Sequence, residues 1–498
     1  MRPPLAAVLV AIAGVTAPPP PPPCWGGATA FFPVEGPDTQ CRCGEQAGVF
    51  VNASIDPTGK NWVIQLGSMS IALDMCIDGV HCALSCGSPG GPPPPPPTGG
   101  QLGAGIQSQD PNENPTFATF NQAELQLCDG ALLMSDRANY ATPPNTSLPA
   151  PGYPFPVRPR LHFNGLRILN ASLLKLARLG LANAENVVLT GVGHGGTSAI
   201  LHADRIGEML HALAPRLRNF GLLAADGYHP RHRTDEFITI KPAIDTDNPY
   251  DTILRGVANV SNAAAGMSVG CKAKLGPAQQ WRCLYVNESM PYIATPTFLV
   301  QQLASFWDTE CILDGGIIGL DQGRDAMLQL RCRKSGMWEI CFQYARRCNP
   351  QQVSLAIIPY QQQYVRELSP FLRRSGNGGF LHSCHLGGYW ETATQRWADG
   401  QYKPPQPFKP QRPAGWPAGF NTSSYWNQLA IGGTTMQQAV AQWWAQLRQE
   451  GARVPEGGEE GEEERKQGGV GAMHVDCIWP NRSWYPYCNP TCNGWGWY

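Results

Sequence analysis

Charge is scarce in this chain: only 15% of its 498 residues are Asp, Glu, Lys or Arg, and the formal net charge is -1. Nucleic-acid binders need a broad basic field to neutralise phosphates, so composition argues against that partner. Long apolar runs are equally few. Beyond the N-terminus no stretch of about 18 apolar residues occurs, and no later segment reads as a membrane span. The cysteines lack the regular C-x-x-C tetrads of a structural zinc site. One further absence bears on chemistry. The glycine-dense turn in TGVGHGGTS has Gly193 at its apex, a residue with no side chain to act as a nucleophile.

What is present points to the secretory route. Hydrophobic residues make up 42% of the chain, ample for a core. MRPPLAAVLVAIAGVTA combines Arg2 with an apolar stretch of signal-peptide length, and a signal peptide over residues 1–17 is expected. The 17 cysteines fit disulfides formed in an oxidising compartment, with metal binding the competing account of Cys41 and Cys43 or of Cys488 and Cys492. N-x-S/T sequons stand at Asn52, Asn145, Asn170, Asn259, Asn287, Asn421 and Asn481. Proline runs at 18–23 and 93–97 read as stiff surface spacers. The acidic run at 456–469 has no apolar face and reads as a solvated insertion. TTMQQAVAQWWAQLRQE at 434–450 reads as an amphipathic helix in which Trp443 and Trp444 are packing residues.

The segment ENVVLTGVGHGGTSAILHADRIGEML carries the main argument. Val187, Val188 and Leu189 form a short apolar run suited to a buried strand. After the glycine turn, Ala199, Ile200, Ala203, Ile206, Met209 and Leu210 recur at helical spacing. Strand, tight turn and helix are the context of the G-x-S-x-G nucleophile elbow, where flanking glycines let a strained turn lift a serine above a sheet. Gly191, Gly193 and Gly195 stand where G, S and G would.

This run resembles the pectin acetylesterase family, which carries GCSAGG at the turn. GKNWVIQL at 59–66 resembles the family's first core strand, and NPTFATFNQAELQLCDGA at 114–131 its segment ending in Cys-Asp-Gly. ATPTFLVQQLASFWD at 294–308, GGFLHSCH at 378–385 and YCNPTC at 487–492 follow in the family's order. The resemblance implies an α/β-hydrolase-like domain over 46–492, with a mostly parallel sheet flanked by helices, disulfides, and insertions at about 87–112 and 454–470. A Pro/Gly-rich segment at 18–45 precedes it and a short tail at 493–498 follows.

The resemblance also assigns roles. Acyl transfer needs a nucleophile, a histidine base, an acid that orients it, and oxyanion donors. Gly193 takes the serine's position and Gly387 the histidine's, while Asp308 in FWDTE keeps the acid. The oxyanion region maps to Gly67, Ser68 and His194, in a loop that departs from the family's LEGGGWC. A secreted or cell-wall protein that has lost serine-esterase chemistry is expected, binding acetylated cell-wall polysaccharide or another extracellular ester. No cofactor or metal is expected. The alternative is an active acetylesterase rebuilt on Asp308 with His194 or His385, acting through a water or a metal. Ser198 is a weaker substitute nucleophile, and Asp226 reads as structural support beneath the site.

Overall fold

The computed structural model describes residues 30–52, 55–67, 75–76, 82, 105–141, 160–231, 249–303, 305, 308, 312–313, 318–322, 328–332, 354, 357–384, 426–427, 429–451 and 472–476. The expectations for 1–17, both proline runs, the acidic run, Ser68, His385, Gly387, Cys488 and Cys492 lie outside these residues.

A nine-stranded sheet organises the chain. Its strands are β1 (Ala30–Pro33), β2 (Gly48–Asn52), β3 (Asn61–Leu66), β4 (Asn121–Leu125), β5 (Asn186–Val192), β6 (Asn219–Ala225), β7 (Thr297–Gln302), β8 (Gly378–His382) and β9 (Met473–Val475). They lie side by side in the order β1-β2-β4-β3-β5-β6-β7-β8-β9. From β4 to β9 every pairing is parallel, and only β1 with β2 and β2 with β4 run antiparallel. This is the mostly parallel, helix-flanked sheet of an α/β hydrolase.

Parallel strands covered on both faces read as continuous apolar runs because alternate side chains enter two different layers. Along β5, Val187 and Leu189 join one core and Val188 the other. The first core is built with α1 (Gly165–Arg178), α2 (His194–Leu213), α3 (Pro249–Ser261) and α4 (Ile358–Leu372), which contribute Ile168, Ala199, Leu254 and Tyr364 among others. Against the opposite face lies α5 (Met436–Gly451), with Val440, Trp443 and Trp444 packed on Val188, Leu223 and Phe380. Both tryptophans are buried, and Trp443 Nε1 donates to the Gly376 carbonyl at 2.8 Å. They are packing residues.

Disulfides join Cys41 to Cys128, Cys76 to Cys82 and Cys271 to Cys283, and Cys43 and Cys384 are disulfide-bonded as well. Cys41 and Cys43 are therefore cystines. Among the described residues no helix is long and apolar enough to cross a membrane.

Candidate active site

The elbow forms where β5 passes into α2, and steric contacts dictate two of its glycines. A Cβ on Gly191 would lie 2.2 Å from the Gly195 carbonyl oxygen, and one on Gly195 would lie 2.4 Å from that of Leu66. Neither position admits a side chain. Gly193 differs: its φ of 55° and ψ of -123° lie where L residues are strained, yet among the described residues an added Cβ would meet nothing within 4 Å beyond its chain neighbours. The apex thus has the strained backbone of a nucleophile elbow, with a glycine in it.

The turn is braced by the loop that follows β6. Gly193 N–H donates to the Ala225 carbonyl at 2.9 Å, and Thr197 Oγ1 donates to that of Gly227 at 2.8 Å. A Cβ on Gly227 would stand 2.4 Å from the carbonyl carbon of Gly196, so loop and helix start are in close contact. Asp226 supports this edge by accepting from Gln302 N and Gln302 Nε2, both at 2.8 Å.

Asp308 lies beyond the end of β7, fully buried, and its two oxygens are saturated by donors. Oδ1 is 2.8 Å from His229 Nδ1. Oδ2 accepts from Ser305 N at 3.0 Å, Ser305 Oγ at 2.8 Å and the Tyr364 hydroxyl at 2.7 Å. Burial alone would raise this carboxyl's pKa. The charge and hydrogen bond of His229, with those of Tyr364 and Ser305, outweigh burial and hold it below the usual carboxylate range. An ionised carboxylate only accepts, so His229 Nδ1 is the donor of this bond.

His229 is a residue that sequence reasoning missed. It sits in AADGYHP, a stretch read only for Asp226, and it is 4% exposed. Tyr250 of α3 packs edge-on against its ring, with centroids 5.9 Å apart. For the alternative of Asp308 with His194 or His385, the structure shows the acid's hydrogen bonds going to His229, Ser305 and Tyr364. His194 opens α2 as a buried ring in a small pocket with Met75, Leu127, Asp129, Gly130, Ala131 and Leu132. Burial and the nearby His229 push its pKa down to about 3, so it stays neutral.

Ser198 donates to the Leu132 carbonyl at 2.8 Å from a fully buried position, and His202 Nε2 lies 3.0 Å from the same oxygen. That serine is committed to structure. The loop it holds is stapled by Asp129, from the Cys-Asp-Gly triplet, whose Oδ1 accepts from Ala131 N and Leu133 N at 3.1 and 3.0 Å. At the expected oxyanion position, Gly67 N–H donates to the Leu125 carbonyl at 2.8 Å, so this amide is engaged with the neighbouring strand. The Glu124 carboxyl lies against Gly67, where an added Cβ would meet Glu124 Oε1 at 2.8 Å. Burial raises the pKa of that carboxyl to about 7. Among the described residues no three His, Cys, Asp or Glu side chains are grouped to hold a metal ion.

Comparison with known proteins identifies the fold and the family. The family model described as Pectinacetylesterase matches residues 36–404. Pectin acetylesterase 4 of Arabidopsis thaliana is 24% identical over 296 residues, covering 58% of this chain and 61% of that protein. Palmitoleoyl-protein carboxylesterase NOTUM of Mus musculus is 27% identical over 213 residues, 41% of this chain and 36% of its own. The matched region thus spans less than two thirds of either relative. The solved structure of the Wnt deacylase Notum from Drosophila shares the fold with a TM-score of 0.56 at 17% identity, covering 93% of this chain and 99% of that one. With a family model spanning most of its length, this chain belongs to the pectinacetylesterase family.

Proposed function

We propose that this chain is an extracellular member of the family that holds a carboxylic ester at the elbow without forming an acyl-enzyme there. The observation that carries the reading is Gly193, which has the elbow backbone, no described residue beyond its chain neighbours within 4 Å of where a Cβ would stand, and no atom to attack a carbonyl. Acetylated cell-wall polysaccharide is the ligand class, by analogy with the pectin acetylesterases it resembles. The N-terminal apolar segment and the cystines support export.

Fluorophosphonate labelling tests the covalent route directly, because the probe needs an activated hydroxyl. The purified protein is expected to stay unlabelled and to show no burst with p-nitrophenyl acetate, while binding acetylated pectin more tightly than deacetylated pectin in calorimetry. Stoichiometric labelling of the natural chain would overturn the reading.

A further inference from the structure

We infer that Asn259 carries an N-linked glycan and that the other sequons among the described residues, at Asn52, Asn170 and Asn287, stay unmodified. The inference rests on the export proposed above, because the transferase works in the secretory lumen.

The motif alone does not choose among these four, but exposure does. Asn259 is exposed near the end of α3. That helix buries one face, with Ile253, Leu254, Val257 and Val260 turned inward. Thr252 and Asn259 are exposed, and two helical turns set them on one outward face. A sugar on Asn259 therefore leaves the fold directly for solvent.

The other three amides are held in. Asn52 ends β2 and is only 2% exposed, in a strand that lies between β1 and β4. Asn170 is half-buried on α1 with its amide oxygen buried, and the hydroxyl of Ser172, which completes its sequon, is buried as well. Asn287, in a short helix over Val286–Ser289, is half-buried with its amide oxygen inside. A bulky glycan on any of these nitrogens would have to lift the amide out of the folded surface.

The hydroxyl two residues on sets the order of events at Asn259. Ser261 is fully buried in the folded chain, and its Oγ donates to the Val257 carbonyl at 2.6 Å. The acceptor motif requires that hydroxyl, so transfer takes place on the extended chain before α3 closes. In the step, the Asn259 amide nitrogen bonds to the anomeric carbon of a lipid-linked diphospho-oligosaccharide. The bond from that carbon to the phosphate oxygen breaks, the amide gives up one proton, and the lipid diphosphate leaves. At about 1.5 Å per residue the sugar stands about 13 Å along α3 from Tyr250, the residue packed on His229.

The full-length chain with its own N-terminus is expressed in a mammalian secretory host and recovered from the medium. Peptide-N-glycosidase F in heavy-oxygen water turns each occupied Asn into labelled Asp, and mass spectrometry reads occupancy at each sequon. Asn259 is expected to be labelled in most secreted chains, with Asn52, Asn170 and Asn287 still Asn. Asn259→Gln changes only an exposed side chain and should be secreted with one glycan fewer on a gel. Secreted protein with Asn259 unlabelled overturns the inference, and so does label at Asn52, Asn170 or Asn287. Chain retained in the cytosol with no sequon labelled sinks the export reading and the inference with it, an outcome distinct from export without sugar at Asn259.

Discussion

His229 Nδ1 and Asp308 Oδ1 meet at 2.8 Å across 79 residues of chain, with both side chains buried. The pair stands at the end of two adjacent parallel strands, β6 and β7, whose loops leave the same edge of the sheet. Asp308 there receives donors from three residues, and each would be stranded by its removal. Asp308→Ala is expected to cost about 3 kcal/mol or more, the range for breaking a buried charged network. Urea denaturation at pH 7 measures this, and a loss below about 1 kcal/mol would show that the network contributes little.

At the elbow the three glycines should respond differently. Gly193→Ala places a side chain that meets no described residue beyond its chain neighbours but stands at a strained φ, so a loss of about 1–3 kcal/mol is expected with the fold intact. Gly195→Ala drives a methyl into the Leu66 carbonyl at 2.4 Å, which is backbone and cannot swing aside. That variant should be markedly less stable than Gly193→Ala. Thermal melts of the two side by side give the answer, and equal midpoints would contradict the packing described.

Stability should depend on pH with two opposing slopes. Burial holds His194 and His202 at about 3 against an ordinary 6.5. Between those values the unfolded chain binds more protons, so stability falls as pH drops from about 6.5 towards 3. Glu124 acts the other way, because burial raises it from 4.5 to about 7 and the folded state keeps its proton longer. Its contribution is full below about 4.5 and is lost as pH rises through 7. Glu124→Gln should therefore stabilise the protein at pH 8 by about 1–3 kcal/mol and flatten the alkaline side of the profile. Denaturation midpoints from pH 4 to 8 check both limbs, and an unchanged alkaline limb in Glu124→Gln would rule out the role given to that carboxyl.

Much of this was legible without coordinates because it is local. Val187, Val188 and Leu189 followed by a glycine turn and a helical repeat specify the elbow from steric and hydrophobic rules acting over some twenty residues, and the structure forms β5, the turn and α2 there. The paired tryptophans of α5 were equally readable from helical spacing. Asp308 came from the family pattern, and the structure buries it against His229. His229 did not, since nothing in AADGYHP marks one histidine among ten as the partner of an aspartate in another loop. The sequence by itself determined the glycine at the apex of the turn, the glycines that allow the turn and the apolar runs that make the strands. Only the tertiary structure decided which histidine the acid holds, how Gly67 and Glu124 meet, and that Ser198 is spent on the Leu132 carbonyl. Those contacts depend on which strands lie side by side, and strand order is set by burial over the whole sheet.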